Sequence, residues 1–238
     1  MTVEFVLLII GAYLLGSVPS AYLAGKWSRE IDIRQYGSRT VGASNLLMLT
    51  SKRIAIPVII FDSVKGMLMV GAACLMGLGI AQQVTVGLAA ILGHNWPVFL
   101  RFYGGRGVIT SIGVAFILPL INGLLPWTFV SAYAIALTII AITQTTPLGV
   151  GIGMAALPLF SWLLNEPPSL TLGLMAIFMI LVIRRLTAPR AAEFSQLSRK
   201  QLFVNRLLFD RDIKDKEAWM NRSRSEISSS KQAKKRKG

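Results

Sequence analysis

Runs of close to twenty apolar residues recur along this chain with almost no charge inside them, and segments of that length and polarity are stable where lipid surrounds them. The hydrocarbon core of a bilayer, roughly 30 Å thick, takes about 20 helical residues to cross. Runs that meet this requirement fall at about 4–25, 54–79, 80–98, 107–122, 125–142, 147–164 and 168–183. Backbone polar groups in hydrocarbon must pair within their own segment, so the expected fold is all-α and integral to the membrane, with about seven transmembrane helices. Composition agrees, since 53% of residues are hydrophobic, 15% are charged and the mean hydropathy is +0.59, which excludes an ordinary water-soluble globule. The first run is too long for a cleaved signal peptide and lacks its basic leading segment, so it reads as a retained helix. One cysteine, Cys74, and one histidine, His94, supply neither a disulfide framework nor a zinc site, and no metal or cofactor is expected.

The basic residues segregate. Lys26, Arg29, Arg34, Arg39, Lys52 and Arg53 lie between the first two spans, Arg101 and Arg106 between the third and fourth, and sixteen more follow the seventh. The connections near Ala81, Asn122 and Asn165 carry none. Cytoplasmic loops are the ones enriched in Lys and Arg, so the N-terminus is expected outside and the C-terminus in the cytoplasm. An odd number of spans is the parity that keeps every basic loop on one side. The net charge of +14 sits mostly in the tail, with nine basic and five acidic residues over 1–183 against sixteen and six thereafter. Beside an anionic cytoplasmic leaflet such a tail reads as a lipid-surface element rather than a nucleic-acid arm. The chain thus divides into a multi-span membrane domain over 1–187 and a basic cytoplasmic tail over 188–238. Phe194, Leu197, Val204 and Leu208 recur at near-helical spacing among cations, as an interfacial helix requires, and the Ser, Lys and Arg run beyond Met220 reads as disordered.

Two cytoplasmic loops concentrate anion-binding chemistry. Asp32-Ile-Arg-Gln-Tyr-Gly-Ser-Arg-Thr-Val-Gly-Ala-Ser-Asn45 combines cations, hydroxyls, an amide and glycines; Gly37 and Gly42 let backbone N–H groups converge on an oxyanion while Ser38, Ser44 and Asn45 add donors. Read alone, the same segment is equally a turn-rich connection. Gly93-His-Asn-Trp-Pro-Val-Phe-Leu-Arg-Phe-Tyr-Gly-Gly-Arg-Gly-Val-Ile-Thr110 places Arg106 at the start of a helix, where free N–H groups attract phosphate and a guanidinium can clamp it; it lacks the spacing of a Walker loop. Asp62 and Lys65 share one face of an apolar span and serve either as a mutual ion pair or as a substrate contact. His94 is a general base or a hydrogen-bonded core histidine, and on the residues alone the second reading is preferred.

Together with Gly16-Ser-Val-Pro-Ser-Ala-Tyr-Leu-Ala-Gly-Lys26 and Asp62-Ser-Val-Lys-Gly66, these two loops resemble the acyl-phosphate-dependent glycerol-3-phosphate acyltransferases, the PlsY family, over about residues 3–187. The resemblance implies a multi-pass plasma-membrane enzyme of phospholipid biosynthesis. It would transfer a fatty acyl group from acyl phosphate to the 1-hydroxyl of glycerol 3-phosphate, giving lysophosphatidate and phosphate. It also implies catalytic roles for His94, Asn45 and Arg106, the last standing where the family usually has lysine. Ser38, Gly42, Ser44, Lys65, Gly104, Gly105 and Gly107 are then phosphate-binding. Acyl phosphate, glycerol 3-phosphate and membrane lipids, through the tail the anionic leaflet, are the implied partners. The chain departs from the family pattern at Arg39 and Thr40, which replace a Gly-Asn pair, and at Met48, which replaces an arginine. It departs again near Pro147, where a serine is expected, and at Met179 and Val182, where the family has His and Asn before the run Ile183-Arg-Arg-Leu186. Two other readings stay open: a diverged paralogue that binds phosphorylated lipid without efficient turnover, and a small transporter of an anionic metabolite.

Overall fold

The computed structural model describes residues 3–187 and 198–215, which are helical with no strand among the described residues. In chain order the helices are α1 (Val3–Gly16), α2 (Ser20–Arg29), α3 (Ala43–Leu49), α4 (Lys52–Leu75), α5 (Ile80–Asn95), α6 (Val108–Ile121), α7 (Trp127–Thr143), α8 (Thr146–Leu163), α9 (Pro168–Leu186) and α10 (Arg199–Phe209), with a short 3-10 turn at Val98–Leu100. Helices α4 to α9 coincide with the six runs expected between 54 and 183, their ends differing by no more than four residues. Four segments, Val3–Arg29, Lys52–Leu75, Thr146–Leu163 and Pro168–Leu186, are long and apolar enough to cross a membrane, while α6 and α7 are apolar and shorter. Leu7, Ile60, Leu68, Ile142, Trp162 and Leu172 are exposed on these helices. Each would be penalised in water by about 25 cal/mol per Å² of apolar surface, a penalty that lipid removes.

The first expected span is broken. Pro19 has no N–H to continue the helix, and the Ser17 hydroxyl turns back to the Tyr13 carbonyl at 2.7 Å, so α1 ends there and the chain restarts as α2. Small residues let α1 lie directly on α5: a Cβ at Gly16 would strike the Ala90 carbonyl, and one at Gly93 the Tyr13 carbonyl. The Tyr13 hydroxyl then donates to the Trp96 carbonyl at 2.8 Å, which ties α1 to the end of α5.

The main core lies among α4, α5, α6, α8 and α9, with Val70, Ile91, Val114, Leu157, Leu174 and Ile177 buried together. A second cluster, Ala21, Ile33, Val41, Leu46 and Val58, presses the first loop and α3 against α2 and α4. Helix α3 was not expected from the sequence. Its seven residues are too few for apolar periodicity to announce it, and burial of Leu46 rather than propensity keeps it folded. The tail returns to the bundle as α10, which packs on α8 and α9; Arg206 donates to the Leu186 carbonyl at 2.9 Å and pairs with Asp212 at 2.7 Å. Phe194, Leu197 and the run beyond Met220 lie outside the described residues.

Candidate active site

A cavity of about 280 Å³ opens where α3, α6 and α8 begin and α5 and α9 end. From the residues singled out in the sequence it gathers Gly42, Ser44, Asp62, His94, Arg106 and Gly107, and it adds Arg185 and Asp210. Gly42 and Gly107 occupy the N-cap positions of α3 and α6, Thr145 that of α8, and none makes a side-chain capping bond. No side chain caps the first-turn N–H groups of α6, whose residues Val108 and Ile109 line the cavity next to Arg106. Gly107 has φ +72°, where a side chain is strained, and a Cβ there would strike Asn95 Oδ1, so this start of α6 requires glycine. Arg106 donates from Nη1 to Asp210 Oδ2, and its buried Nε has no protein partner.

Behind this wall lies a buried polar cluster. Lys65 Nζ donates to Asp62 Oδ1 at 2.7 Å and meets His94 Nδ1 at 3.0 Å; the Ser20 hydroxyl donates to the same Asp62 oxygen at 2.8 Å. His94 Nδ1 is 3.7 Å from Asp62 Oδ1, so the imidazole does have a carboxylate neighbour, which sequence reasoning did not find. An ammonium group has donors only, so with Lys65 charged Nδ1 must accept and the ring proton sits on Nε2. In this arrangement His94 offers a donor to its surroundings, and its basic lone pair is occupied by Lys65.

The remaining sequence candidates stand behind the cavity wall, where the structure engages each of them with protein partners. Asn45, expected to be catalytic, is 1% exposed and organises the first loop: its Nδ2 donates to the carbonyls of Ile33, Tyr36 and Thr40 at 2.8, 3.2 and 3.0 Å, and its Oδ1 accepts from the Ser38 N–H at 3.0 Å. Ser38 pairs its hydroxyl with that of Thr40 at 2.7 Å. Arg39 adopts φ +58°. Farther along the same loop Arg34 grips Asp32 through two guanidinium nitrogens, which holds the Asp32 carboxyl below the usual carboxylate range. Lys65 is also 1% exposed and spent in the cluster above. Gly104 and Gly105, expected as phosphate-binding amides, turn their carbonyls to Arg184 at 2.9 and 2.8 Å, and the Gly105 N–H donates to the His94 carbonyl at 3.1 Å. A Cβ at Gly105 would strike His94 Nε2, so that glycine makes room for the imidazole.

Two arginines from the end of α9 hold this end of the molecule together. Arg184 pins the glycine loop and lies 5.5 Å over the Trp96 ring, while Arg185 donates to the carbonyls of Pro147 and Leu207 at 2.9 and 3.0 Å and lies 3.7 Å from Asp210. The run Ile183-Arg-Arg-Leu186 was the signal for both. Met179 is exposed and Val182 borders an apolar pocket, so neither puts a polar group into the cavity.

A helical, lipid-facing bundle with an arginine and a helix N-terminus at one polar cavity defines a class, the integral-membrane enzymes that handle phosphorylated substrates. The family model described as Glycerol-3-phosphate acyltransferase matches residues 6–190, and the chain belongs to that family. It is 41% identical over 229 residues to glycerol-3-phosphate acyltransferase 4 of Dehalococcoides mccartyi (strain CBDB1), covering 94% of this chain and 96% of that one. A glycerol-3-phosphate acyltransferase of Thermoanaerobacter pseudethanolicus is 41% identical over 147 residues, which is 60% of this chain and 69% of that one. Among solved structures, the glycerol 3-phosphate form of PlsY, an integral membrane glycerol 3-phosphate acyltransferase, superposes with a TM-score of 0.69 at 28% identity, covering 76% of this chain and 88% of that chain. The protein is an all-helical integral membrane protein.

Proposed function

We propose that this chain acylates glycerol 3-phosphate at the cavity between α3, α6, α8 and α9, with acyl phosphate as the donor, to give lysophosphatidate for phospholipid synthesis. Family membership supports the acyltransferase activity and the acceptor. The donor is the one that the resemblance of the two loops implies, and the site suits it. An acyl phosphate is already an activated anhydride, so the reaction needs alignment and charge neutralisation rather than a covalent enzyme intermediate. The acceptor hydroxyl oxygen bonds to the acyl carbon, the bond from that carbon to the phosphate oxygen breaks, and the hydroxyl proton passes to a substrate phosphate oxygen. His94 is not the base in this scheme, because its free lone pair is held by Lys65 at 3.0 Å.

In this reading Arg106 and the first-turn N–H groups of α6 hold one phosphate, and Gly42 and Ser44 at the start of α3 face the second. An apolar pocket of about 230 Å³ lined by Phe129, Tyr133, Ile140, Met154 and Leu157 shares Ile112 and Val150 with the polar cavity, which is where an acyl chain entering from lipid would lie. The site belongs to a plasma-membrane protein of seven crossings over residues 1–187. Its loops bearing Arg34 and Arg106 are cytoplasmic, and the basic segment 188–238 meets the anionic leaflet.

The observation that carries the proposal is the pairing of Arg106 with an uncapped helix N-terminus on the cavity wall. Purified protein given acyl phosphate and glycerol 3-phosphate is expected to release phosphate and form lysophosphatidate, with Arg106→Ala losing at least about a hundredfold in kcat/KM. Saturable binding of acyl phosphate with no turnover would instead identify a diverged binder, and full activity in Arg106→Ala would remove the phosphate clamp from the scheme.

A further inference from the structure

The cavity already contains an anion. Asp210, in the turn that closes α10, puts its carboxylate on the cavity wall, where Oδ2 takes Nη1 of Arg106 and Oδ1 lies 3.7 Å from Nε of Arg185. The side chains of Asp210, Arg106 and Arg185 are 14, 20 and 8% exposed, so the three charges meet in a largely water-excluded place where Coulomb forces are strong. We infer that Asp210 is an internal competitor for the phosphate site, holding Arg106 when the cavity is empty and yielding it to a phosphate monoester, so that it sets how tightly that site binds phosphate. This rests on the proposed role of Arg106.

Three observations separate a competitor from a structural ion pair. Asp210 is not the sole tie on α10, because Arg206 donates to the Leu186 carbonyl and Arg185 donates to the Leu207 carbonyl. Arg185 remains fixed without Asp210, since its Nη2 is held by the Pro147 carbonyl. Arg106 has its buried Nε unpartnered while Nη1 is on Asp210, so the carboxylate does not saturate the guanidinium it holds. A phosphate monoester brings up to two negative charges and three oxygens against one charge and two oxygens, and can take both edges of the same guanidinium. Asp210 also lies beyond residues 6–190, the part matched to the family, so the competitor is an addition by the tail to a site formed elsewhere.

The test is isothermal calorimetry of the full-length protein with glycerol 3-phosphate and, separately, inorganic phosphate, comparing wild type with Asp210→Asn, Asp210→Ser, Asp212→Asn and Arg106→Ala. Removing the competitor is expected to tighten both ligands about fivefold or more in the two Asp210 variants, a coupling of ordinary size for two groups sharing one site. Asp212→Asn, on the same segment but paired with Arg206, is expected to bind like wild type. Asp210 variants that bind no more tightly than wild type, while Arg106→Ala loses binding, would overturn the competitor and leave the phosphate site standing. Equal tightening in Asp212→Asn would assign the effect to the tail's overall charge and overturn it too. Failure of both Asp210 variants to fold would do the same, because a carboxylate that gives way to substrate cannot be what holds the fold. Wild-type affinity in Arg106→Ala would remove the phosphate site itself and the inference with it.

Discussion

Asp62, Lys65 and His94 show how an intramembrane charge is tolerated: each supplies what another lacks, and the Ser20 hydroxyl completes the set. Removing one partner leaves a buried charge uncompensated, which in buried pairs costs about 3–5 kcal/mol. Lys65→Met is therefore expected to lower thermal stability in detergent strongly, and the double variant Asp62→Asn, Lys65→Met to recover most of the loss; a double variant no more stable than the single would show that the pair does not act as a unit. Asn45 makes the complementary case. Its amide satisfies three loop carbonyls, so Asn45→Ala is expected to cost about 2–3 kcal/mol in melting experiments by leaving them unpaired in a buried place. Stability equal to wild type would return Asn45 to the list of groups that act on substrate. At this scale the sequence exposed the members of the site better than their partnerships. Gly42, Ser44, His94, Arg106 and Gly107 do line one cavity. The contact of His94 with Asp62 depends on the rotation of α4 against α5, and that of Arg106 with Asp210 on a chain that returns after 104 residues, and no local pattern encodes either.

Elements were legible in proportion to their apolar length. Helices α4 to α9 each carry enough hydrophobic surface to announce themselves, whereas the break at Ser17 to Pro19, the short α3 and the docking of α10 are set by tertiary contacts. The segment before α3 shows the limit well. It read equally as an anion loop or a plain connection, and it is a folded element, held by Asn45 within and by Ile33 and Val41 in an apolar cluster beneath. The Asp32–Arg34 pair staples its first turn, and the sign of its pH dependence follows from the lowered carboxyl: its stabilisation is present above the ordinary value of 3.8 and is lost as pH falls through the lower folded value. Because both side chains are partly exposed, Asp32→Asn is expected to lower stability at pH 7 by less than about 1 kcal/mol, and the difference from wild type to shrink as pH drops below 3.8. A gap between the two melting curves that widens on acidification would contradict the pairing. The α1/α5 contact is expected to be far less forgiving. Gly93→Val would place its Cβ on the Tyr13 carbonyl and force the helices apart, with loss of about 3 kcal/mol or more in thermal melts and, through Trp96, disturbance of the site end.

At the scale of the whole molecule, one arrangement reconciles the cavity with the charge map. The starts of α6 and α8 and the ends of α5 and α9 meet at a single cavity, as an up-and-down bundle with short outer connections requires. Arg34, Arg39, Arg106, Arg185 and the returning α10 all lie at that end, whereas the connections between α4 and α5, α6 and α7, and α8 and α9 carry one charged side chain, Glu166. Basic residues stay on the cytoplasmic face during insertion, so the cavity end is expected to be cytoplasmic, where phosphorylated acceptors are made and anionic lipid is held. With α1 and α2 treated as one broken span, the proposed seven crossings are expected to carry the chain from an outside N-terminus to an inside C-terminus. A reporter fused after Gly238 that is active only in the cytoplasm, and one placed between Asn122 and Leu125 that is active only outside, are the expected pair of results. If the C-terminal fusion reported from outside, the cavity would open away from the compartment that supplies its substrates, and both the orientation and the assignment of Arg106 as a phosphate clamp would have to be given up together.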